Sequence, residues 1–357
     1  IYRHLPTYEK IIRNLVSFLF KKAGLTNLNI LAILDYQEKQ EKSLSLRNMA
    51  VVSKCKNPIL FMEKYKALDI KELRKEFNCF PSVSILDDEY PLELKHCYNP
   101  PVLLFYQGNL ELLNRPKMAV VGARTASATG TKSVQKIVQE LGNHFVIVSG
   151  LARGIDTSAH LSSLKNGGAS IAVIGCGLDV YYPKENKQLQ EYMVKNHLVL
   201  SEYVAGEAPL KFHFPERNRI IAGLSQGVIV VEAKLRSGSL ITCERALEEG
   251  RDVFAIPGNI LDGKSDGCHH LIKEGAKCVT SGLDILRNIK YKQVFSIKKQ
   301  KMIQMFPLRM SHLIRINLNK RSMPLLSKAK EAFLIKRPVV NLPTGLVNEK
   351  RTVIRPP

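Results

Sequence analysis

The sequence predicts an α/β fold with a doubly wound, mostly parallel sheet. Short apolar runs without polar alternation recur at Met118–Gly122, Val146–Gly150 and Ile171–Gly175, and less strictly at Val228–Glu232 and Val253–Gly258. Strands of this kind are buried on both faces, which is typical of a parallel sheet covered by helices. Most runs end at a glycine-marked bend, and a segment with helical periodicity follows, as the repeated strand–helix rhythm of this fold requires.

Helices are predicted after most strands of this unit, which spans residues 115–286. Their predicted bounds are Thr129–Leu141, Ile155–Lys165, Pro183–Lys195, Pro215–Leu224, Ser239–Glu249 and Gly267–Glu274. The carboxyl ends of parallel strands meet at one edge of the sheet, so the bends and the helix N-termini gather there. Backbone N–H groups at that edge attract phosphate and carboxylate groups. The sequence therefore predicts an anion site.

The chain before this unit is predicted to be helical up to about residue 85. Leu25–Leu31, Pro58–Tyr65 and Ile70–Phe77 show helical spacing of apolar residues. Such a bundle is either a module that contacts protein or DNA, or a packing appendage, and the lack of a basic face favours the appendage. Turn-rich sequence then leads into a predicted strand at Val102–Tyr106.

We predict four parts: an atypical N-terminal segment at 1–21, a helical domain at 22–85, the α/β domain at 86–286 and a basic tail at 287–357. The tail lacks helix or strand periodicity. It is therefore predicted to be a disordered basic arm, a small extra domain or a sequence translated in a wrong frame. The frame-shifted interpretation is favoured, because the last α/β element ends before the tail begins. The chain also starts with Ile rather than Met, so both ends are expected to be atypical.

The net charge of +21 is concentrated in the tail. Residues 287–357 carry 17 Lys and Arg against two acidic residues, a net charge of +15, whereas residues 1–286 carry +6. A bulk charge of +21 would favour a nucleic-acid partner. In a mildly basic body, however, an anion site must arise from local placement of cations.

Composition and cysteine usage exclude several classes of protein. No apolar run is long enough to cross a bilayer, and polar residues interrupt Ile11–Phe20, so neither a membrane span nor a signal peptide is predicted. The seven cysteines are scattered, and none forms a Cys-x-x-Cys pair. This pattern indicates reduced thiols in a cytoplasmic protein without a zinc site.

No cofactor is predicted. Gly175–Asp179 lacks the third glycine of the dinucleotide-binding fingerprint, and Gly130–Ser133 departs from the P-loop pattern. Both departures weigh against NAD and against a P-loop nucleotide hydrolase.

Two predicted loops carry candidate anion ligands. In Gly122-Ala123-Arg124, glycine permits close backbone approach and the arginine fork suits phosphate, although a turn with a solvated arginine is the alternative. The following helix is expected to add free N–H groups. In the next loop, Asp156 either caps the helix that carries His160 or shares a metal ion with it. Without a third ligand, the cap and a packed histidine are favoured.

The densest candidate surface is Lys211–Arg219. Phe212 and Phe214 alternate with cations, which is typical of a surface that stacks bases beside phosphate contacts. The alternative is a packed aromatic pair ahead of a salt-bridged helix. Because Arg217 and Arg219 cannot share one helical face, at least one of them should point to the loop edge.

A second anion cradle is predicted within Lys234–Leu240. Ser237-Gly238-Ser239 offers backbone donors and two hydroxyls, with Lys234 and Arg236 alongside. Glu232 could serve as a general base, but no nucleophile, second carboxylate or metal cluster accompanies it in the sequence. No catalytic residue is therefore predicted.

Taken together, these segments resemble the DprA/Smf family, the DNA-processing proteins of bacterial natural transformation. The resemblance covers roughly residues 22–286 and is most specific at Ser149–Asp156, Phe212–Gly223, Arg236–Thr242, Gly250–Gly258 and Ser265–Ile272. It implies a sterile-alpha-motif-like helical domain followed by an extended Rossmann fold. It also implies a protein that is not an enzyme, that binds single-stranded DNA in a basic pocket, forms a homodimer and loads RecA for homologous recombination.

The resemblance assigns roles to individual residues. The family's Gly-Ser-Arg turn falls on Gly122-Ala123-Arg124, where alanine replaces the serine, and its pocket lysine falls on Lys184. Its dimer surface falls on His269, Ile272 and Cys278, with Cys278 in the place of a larger apolar residue. The full predicted DNA-binding set is Gly122, Arg124, Lys184, Phe212, Phe214, Arg217, Asn218, Arg219, Arg236, Ser237, Gly238 and Ser239.

Two other interpretations are compatible with the sequence. Nucleotide or nucleoside-phosphate hydrolases of the related Rossmann-like group resemble this fold, but their Pro-Gly-Gly-x-Gly-Thr turn is absent from the sequence. The other alternative is that the chain is an inactive, degraded relative of the family, as its atypical ends would suggest.

Overall fold

A computed structural model describes residues 5–40 and 44–289 of the chain. These residues belong to one compact unit, which spans residues 1–290. Helical structure continues over residues 282–289, three residues into the predicted tail. The rest of the tail, from residue 290 to residue 357, lies outside the described residues.

The α/β unit is built on a nine-stranded sheet. Its strands are β1 (Ser82–Ser84), β2 (Leu103–Gly108), β3 (Lys117–Gly122), β4 (Val146–Ser149), β5 (Ser170–Ile174), β6 (Leu198–Ser201), β7 (Gly227–Val231), β8 (Asp252–Ala255) and β9 (Lys277–Cys278). Their order across the sheet is β1-β2-β6-β5-β4-β3-β7-β8-β9. β2 pairs antiparallel with β1 and β6, and every other pairing is parallel. The predicted α/β class with a mostly parallel sheet is confirmed.

Helices precede the sheet and flank it. They are α1 (Leu5–Lys22), α2 (Asn27–Gln40), α3 (Leu46–Val52), α4 (Pro58–Lys66), α5 (Ile70–Phe77), α6 (Leu92–Lys95), α7 (Ala128–Leu141), α8 (Ile155–Lys165), α9 (Lys187–Asn196), α10 (His213–Leu224), α11 (Gly238–Glu248) and α12 (Asp266–Lys273). Each helix predicted in the α/β unit is present. The one predicted from Pro183 begins with a 3-10 turn, Lys184–Asn186, before α9.

Both faces of the sheet are buried, as the unbroken apolar strands predict. Along β3, Ala119 and Val121 belong to one core cluster, and Met118 and Val120 belong to the other. This alternation follows from the two-residue period of a strand. The helices therefore enclose both faces of the sheet, whose edge strands are β1 and β9.

The expectation of an atypical segment at residues 1–21 is wrong for the part that the structure describes. Phe18 on α1 is buried, and its ring lies 5.5 Å from that of Phe77 and 6.2 Å from that of Phe105. Asn14, which seemed to interrupt the apolar run, is also buried and donates a hydrogen bond to Asp87 at 3.1 Å. α1 therefore joins the helical domain to the sheet.

Candidate functional site

The carboxyl ends of the central strands surround a cavity of about 860 Å³. The loops after β3 and β7 form two of its sides, and the start of α10 forms another. We call this cavity the central pocket. Its lining includes the side chains of Arg124, Tyr182, Lys211, Phe214, Lys234 and Arg236.

Cations surround the central pocket. Arg124 follows β3, Lys211 precedes α10, and Lys234 and Arg236 follow β7; all four side chains are exposed. Three separate chain segments thus bring positive charge to one concave surface. Cations in a cleft concentrate the electrostatic field, so this surface attracts anions even though the body of the protein is only mildly basic.

Aromatic rings form one wall of the pocket. The ring of Phe214 lies under the guanidinium of Arg124, whose Cζ is 5.6 Å from the ring centroid. Tyr182 lies against Phe214 with the ring centroids 5.4 Å apart and the planes tilted by 35°. Tyr182 keeps 42% of its surface exposed, so its ring is the more accessible of the two.

Arg217 lies on the floor of the pocket and is only 5% exposed. Its Nη1 donates to Gly150 O at 2.7 Å and to Val173 O, which joins α10 to the ends of β4 and β5. Its charge also faces the buried carboxylate of Asp156, whose pKa is raised by burial despite the opposing effect of Arg217. Arg217 thus holds the floor together, in contrast to the predicted phosphate contact.

Arg219 lies outside the lining of the central pocket, contrary to the expectation for this position. It forms an ion pair with Glu202 and donates to Asn99 O at 2.7 Å. Burial alone would raise the pKa of Glu202, but Lys21 and Arg219 outweigh it and lower the pKa to about 2. Arg219 therefore belongs to a cleft of about 650 Å³ beside α1.

Two carboxylates of the protein already occupy loop N–H groups that were expected to be free. Glu232 accepts hydrogen bonds from Ser127 N at 2.8 Å and from Ser127 Oγ, at the start of α7. Asp156 accepts one from Gly150 N at 3.0 Å, in the loop after β4. The N–H groups of Ser127 and Gly150 are therefore taken up within the protein and do not face a bound anion.

Gly122 lines the pocket, but packing within the protein explains the glycine. A Cβ atom at this position would lie 1.9 Å from Val231 O and 2.8 Å from a side-chain carbon of Ile155. The missing side chain lets β3 approach β7 closely. The structure thus accounts for Gly122 without close contact between its backbone and a ligand.

The Ser237 loop forms the far side of the pocket. Ser237 Oγ lies 2.7 Å from Ser239 Oγ and accepts from Ser239 N at 3.3 Å, so it caps α11. Asn218 Nδ2 donates to Gly238 O at 3.3 Å and holds this loop against α10. The loop therefore offers hydroxyl groups more than free backbone donors.

Two predicted DNA-binding residues lie beyond the lining of the central pocket. Phe212 is the N-cap residue of α10, and its side chain is 59% exposed. Lys184 is exposed in the 3-10 turn, beside Tyr182 and Pro183, which line a small adjoining cavity. Lys184 therefore extends the positive surface sideways from the pocket.

The three residues of the predicted dimer surface lie together at one end of the sheet. His269 and Ile272 are one turn apart on α12, and Cys278 is exposed on β9, the edge strand. Ile272 is partly buried against the core. Residues three apart on a helix lie on one face, so His269 and Ile272 share a surface.

Comparisons with known proteins agree with this architecture. Residues 82–290 match the sequence profile of DNA recombination-mediator protein A, and residues 14–73 match the DNA processing protein A sterile alpha motif domain. The chain belongs to the DprA family. The sterile-alpha-motif match begins within α1, in agreement with the packing of that helix.

Relatives within the DprA family are similar over most of this chain. The DNA processing protein DprA of Streptococcus pneumoniae (strain ATCC BAA-255 / R6) is 63% identical over 280 residues, which cover 78% of this chain and 99% of that protein. DprA of Bacillus subtilis (strain 168) is 45% identical over 221 residues, covering 60% of this chain and 74% of that protein.

Solved structures of DprA proteins are also similar. The X-ray structure from Streptococcus pneumoniae aligns with a TM-score of 0.76 and 64% identity, covering 77% of this chain and 97% of that one. A Helicobacter pylori structure aligns with a TM-score of 0.54 and 31% identity, covering 60% of this chain and 98% of that one. The latter is described as revealing the single-stranded DNA binding mode of DNA processing protein A.

The DprA fold brings nine of the twelve predicted DNA-binding residues to the central pocket, the exceptions being Lys184, Phe212 and Arg219. The predicted DNA-binding set leaves out Tyr182, Lys211 and Lys234, although they line the same pocket. The signal was available, because each lies within two residues of a selected one. What the sequence lacked was the proximity of three loops that are far apart along the chain.

The described part of the chain holds no group of three His, Cys, Asp or Glu side chains that could bind a metal ion. His160 packs inside the fold, where its Nδ1 lies 2.7 Å from Ser170 Oγ and burial lowers its pKa to about 3. All seven cysteines are free thiols. Among the helices that the structure describes, none has the length and apolarity to cross a membrane.

Proposed function

We propose that this protein binds single-stranded DNA in the central pocket, with little preference for sequence. The observation that carries the proposal is the set of exposed cations around the aromatic wall of Tyr182 and Phe214. Cations contact phosphates whatever the base, and an aromatic ring stacks on any base. Membership of the DprA family supports the proposal, as does the similarity to the Helicobacter pylori protein described by its single-stranded DNA binding mode.

The roles of the proposed contacts follow from exposure and hydrogen bonding. Exposed cations at the pocket hold phosphates, and the exposed ring of Tyr182 stacks on a base beside Phe214. Ser237 and Ser239 add hydroxyl contacts, and Asn218 keeps their loop in place. The cations that hold phosphates are Arg124, Lys184, Lys211, Lys234 and Arg236.

Arg217 and Arg219 act as positioning residues in this proposal. Each directs its guanidinium to carbonyl or carboxylate oxygens of the protein. Substitution of either residue should weaken DNA binding by disturbing the fold around the pocket. A loss of folding stability in the variant distinguishes this role from a direct contact with DNA.

The proposed activity is binding without a chemical step. Glu232, the candidate general base in the sequence, is hydrogen-bonded to Ser127 at the start of α7. Both of its oxygens accept from Ser127, which gives this carboxylate a structural role at the start of the helix. Incubation with nucleoside monophosphates checks the competing hydrolase function, since release of ribose phosphate would revive it.

We further propose that the bound strand is delivered to RecA in the cytoplasm, for recombination after DNA uptake. The protein then acts as a homodimer, with α12 and β9 at the interface and one pocket in each subunit. The test measures RecA ATPase activity on single-stranded DNA coated with single-strand binding protein. Addition of this protein should shorten the lag before RecA becomes active; an unchanged lag at saturating protein would contradict the proposal.

Arg124→Ala and Arg236→Ala test the DNA site. Each variant should lower affinity for a fluorescent single-stranded oligonucleotide by about tenfold, because a charge-assisted hydrogen bond is removed. The loss should be equal for oligo-dT and mixed sequence. Each substitution should also reduce the slope of log affinity against log salt by about 0.7, the contribution of one phosphate on a single strand.

Arg245→Ala is the matched control, since Arg245 is exposed and pairs with Glu248 away from the pocket. Its affinity and salt slope should equal those of the parent protein. Unchanged affinity and salt slope for both pocket variants would refute the proposed site.

A further inference from the structure

A second groove opens beside the central pocket, between α7 and α8. Its volume is about 630 Å³, and we call it the α7–α8 groove. Gln135 and Gln139 line it from α7, and Leu161 and Lys165 line it from α8. Arg153 and Glu185 close the end nearest to the pocket.

Shared side chains connect the groove to the central pocket. A small cavity lies between them, lined by Arg124, Tyr182 and Phe214, which also line the central pocket. The same cavity is lined by Arg153, which also lines the groove. An extended polymer that leaves the pocket past Arg124 therefore meets Arg153 and then the groove.

The chemistry of the groove suits a single strand better than a small anion. The amides of Gln135 and Gln139 can donate to and accept from base edges of any identity. Leu161 keeps 52% of its surface exposed and offers an apolar face to a base. Lys165 is exposed at the far end, and exposed Lys132 is one turn before Gln135 on the same side of α7.

An ion pair stands where the groove begins. Arg153 Nε donates to Glu185 Oε1, although both side chains are more than half exposed. Exposed ion pairs contribute little, so a phosphate can replace Glu185 on Arg153 at small cost. Lys184, the adjacent residue, adds a cation at the same point.

We propose that the α7–α8 groove holds a second segment of the strand that the central pocket binds. This inference rests on the proposed function and adds the path of the strand: from the Ser237 loop past Arg124, across Arg153, to Lys165. The groove then raises affinity only for oligonucleotides that are too long for the pocket alone.

A length series of oligo-dT, from about 4 to 16 nucleotides, tests the path. The variant is Lys132→Gln combined with Lys165→Gln, two exposed substitutions that leave the core untouched. Affinity for the shortest oligonucleotide that binds should equal that of the parent protein. Affinity for the longest should fall about tenfold or more, and its salt slope should fall by about 1.4, or about 0.7 for each phosphate that the variant no longer neutralises.

Lys136→Gln is the control on the same helix, because Lys136 Nζ donates to Thr280 O, and neither residue lines the groove. It should leave the whole length series unchanged. Glu185→Gln frees Arg153 and should raise affinity for long oligonucleotides about two- to fivefold, a gain that misfolding cannot produce.

The outcomes separate the two proposals. If the parent protein fails to bind the short oligonucleotides as well as the long ones, the proposed function itself is wrong. If short and long oligonucleotides bind equally well to the parent and to the double variant, the groove serves another ligand, such as a protein segment, and the proposed path is overturned.

Discussion

The guanidinium of Arg124 lies over the ring of Phe214, with Cζ 5.6 Å from the ring centroid. An exposed cation over an aromatic face gains about 0.5–1 kcal/mol, enough to favour one orientation of a flexible side chain. Phe214 is itself held by Tyr182. The cation and the aromatic wall therefore form one prearranged surface, on which a phosphate and its neighbouring base can bind together.

Tyr182→Ala should weaken binding of single-stranded DNA by about 1–3 kcal/mol, which is the range for loss of one stacked base. Tyr182→Phe keeps the ring and should retain most of the affinity. Fluorescence anisotropy with oligo-dT measures both. Phe212→Ala removes an even more exposed ring, which lies outside the pocket, and should change nothing. A larger loss for Phe212 than for Tyr182 would contradict this assignment of the wall.

Arg217→Ala should destabilise the fold by about 3–5 kcal/mol. The substitution leaves Gly150 O and Val173 O without their donor and removes the positive charge that faces buried Asp156. Urea unfolding should show a lower midpoint, whereas Arg245→Ala should stay within about 0.5 kcal/mol of the parent. A variant of normal stability that has lost DNA affinity would instead identify Arg217 as a direct phosphate ligand.

Gly130→Ala should destabilise the protein by about 1–3 kcal/mol, although alanine in a helix is normally better than glycine by about 1 kcal/mol. The added Cβ would lie 2.4 Å from Cδ of Glu232 and would push that carboxylate off the start of α7. Gly238→Ala is the control, since nothing lies within 4 Å of a Cβ there. Thermal unfolding should separate the two, and a stabilised Gly130 variant would show that Glu232 moves without cost.

Glu202→Gln should reveal a stability that depends on pH. The folded pKa of Glu202 is lowered from 4.5 to about 2, so its ionised form favours the folded state above pH 4.5. A shift of this size corresponds to about 3 kcal/mol, which is lost progressively as the pH falls from 4.5 to 2. The difference in unfolding free energy between parent and variant should shrink over this range. A difference in unfolding free energy that does not change with pH would mean that packing, and not the charge of Glu202, causes it.

The sheet and its helices follow from local sequence, because strands buried on both faces need unbroken apolar runs. The short strand β6, Leu198–Ser201, escaped prediction because no glycine borders it, unlike the equally short β4, which ends at Gly150. α1 lies in the region that was predicted to be helical, but its packing against the sheet could not be predicted. Asn14 interrupts its apolar run, and the partner that buries this amide, Asp87, lies 73 residues away in the sequence.

The candidate site was predictable as a set of loops but not as a set of roles. The alternating pattern of Lys211–Arg219 indicates cations and rings in one place, and the structure brings Lys211, Phe214 and Arg217 to the pocket. The different roles of Arg217 and Arg219 could not be predicted, because Val173 and Glu202, their acceptors, come from other strands and loops. Burial at a site depends on such long-range pairing, which composition and spacing do not specify.

The homodimer proposal can be tested at the open edge of the sheet. Cys278 is exposed on β9, beside α12, so Cys278→Asp should weaken the dimer without disturbing the core. Light scattering after size-exclusion chromatography should show a shift towards monomer. Cys278→Leu should lower the dimer dissociation constant by about threefold or more, because added apolar area is buried between subunits. Ile59→Asp, on an exposed position of α4, is the control and should leave the mass unchanged. A monomeric parent protein, or equal masses for both Cys278 variants at limiting concentration, would exclude this edge as the interface.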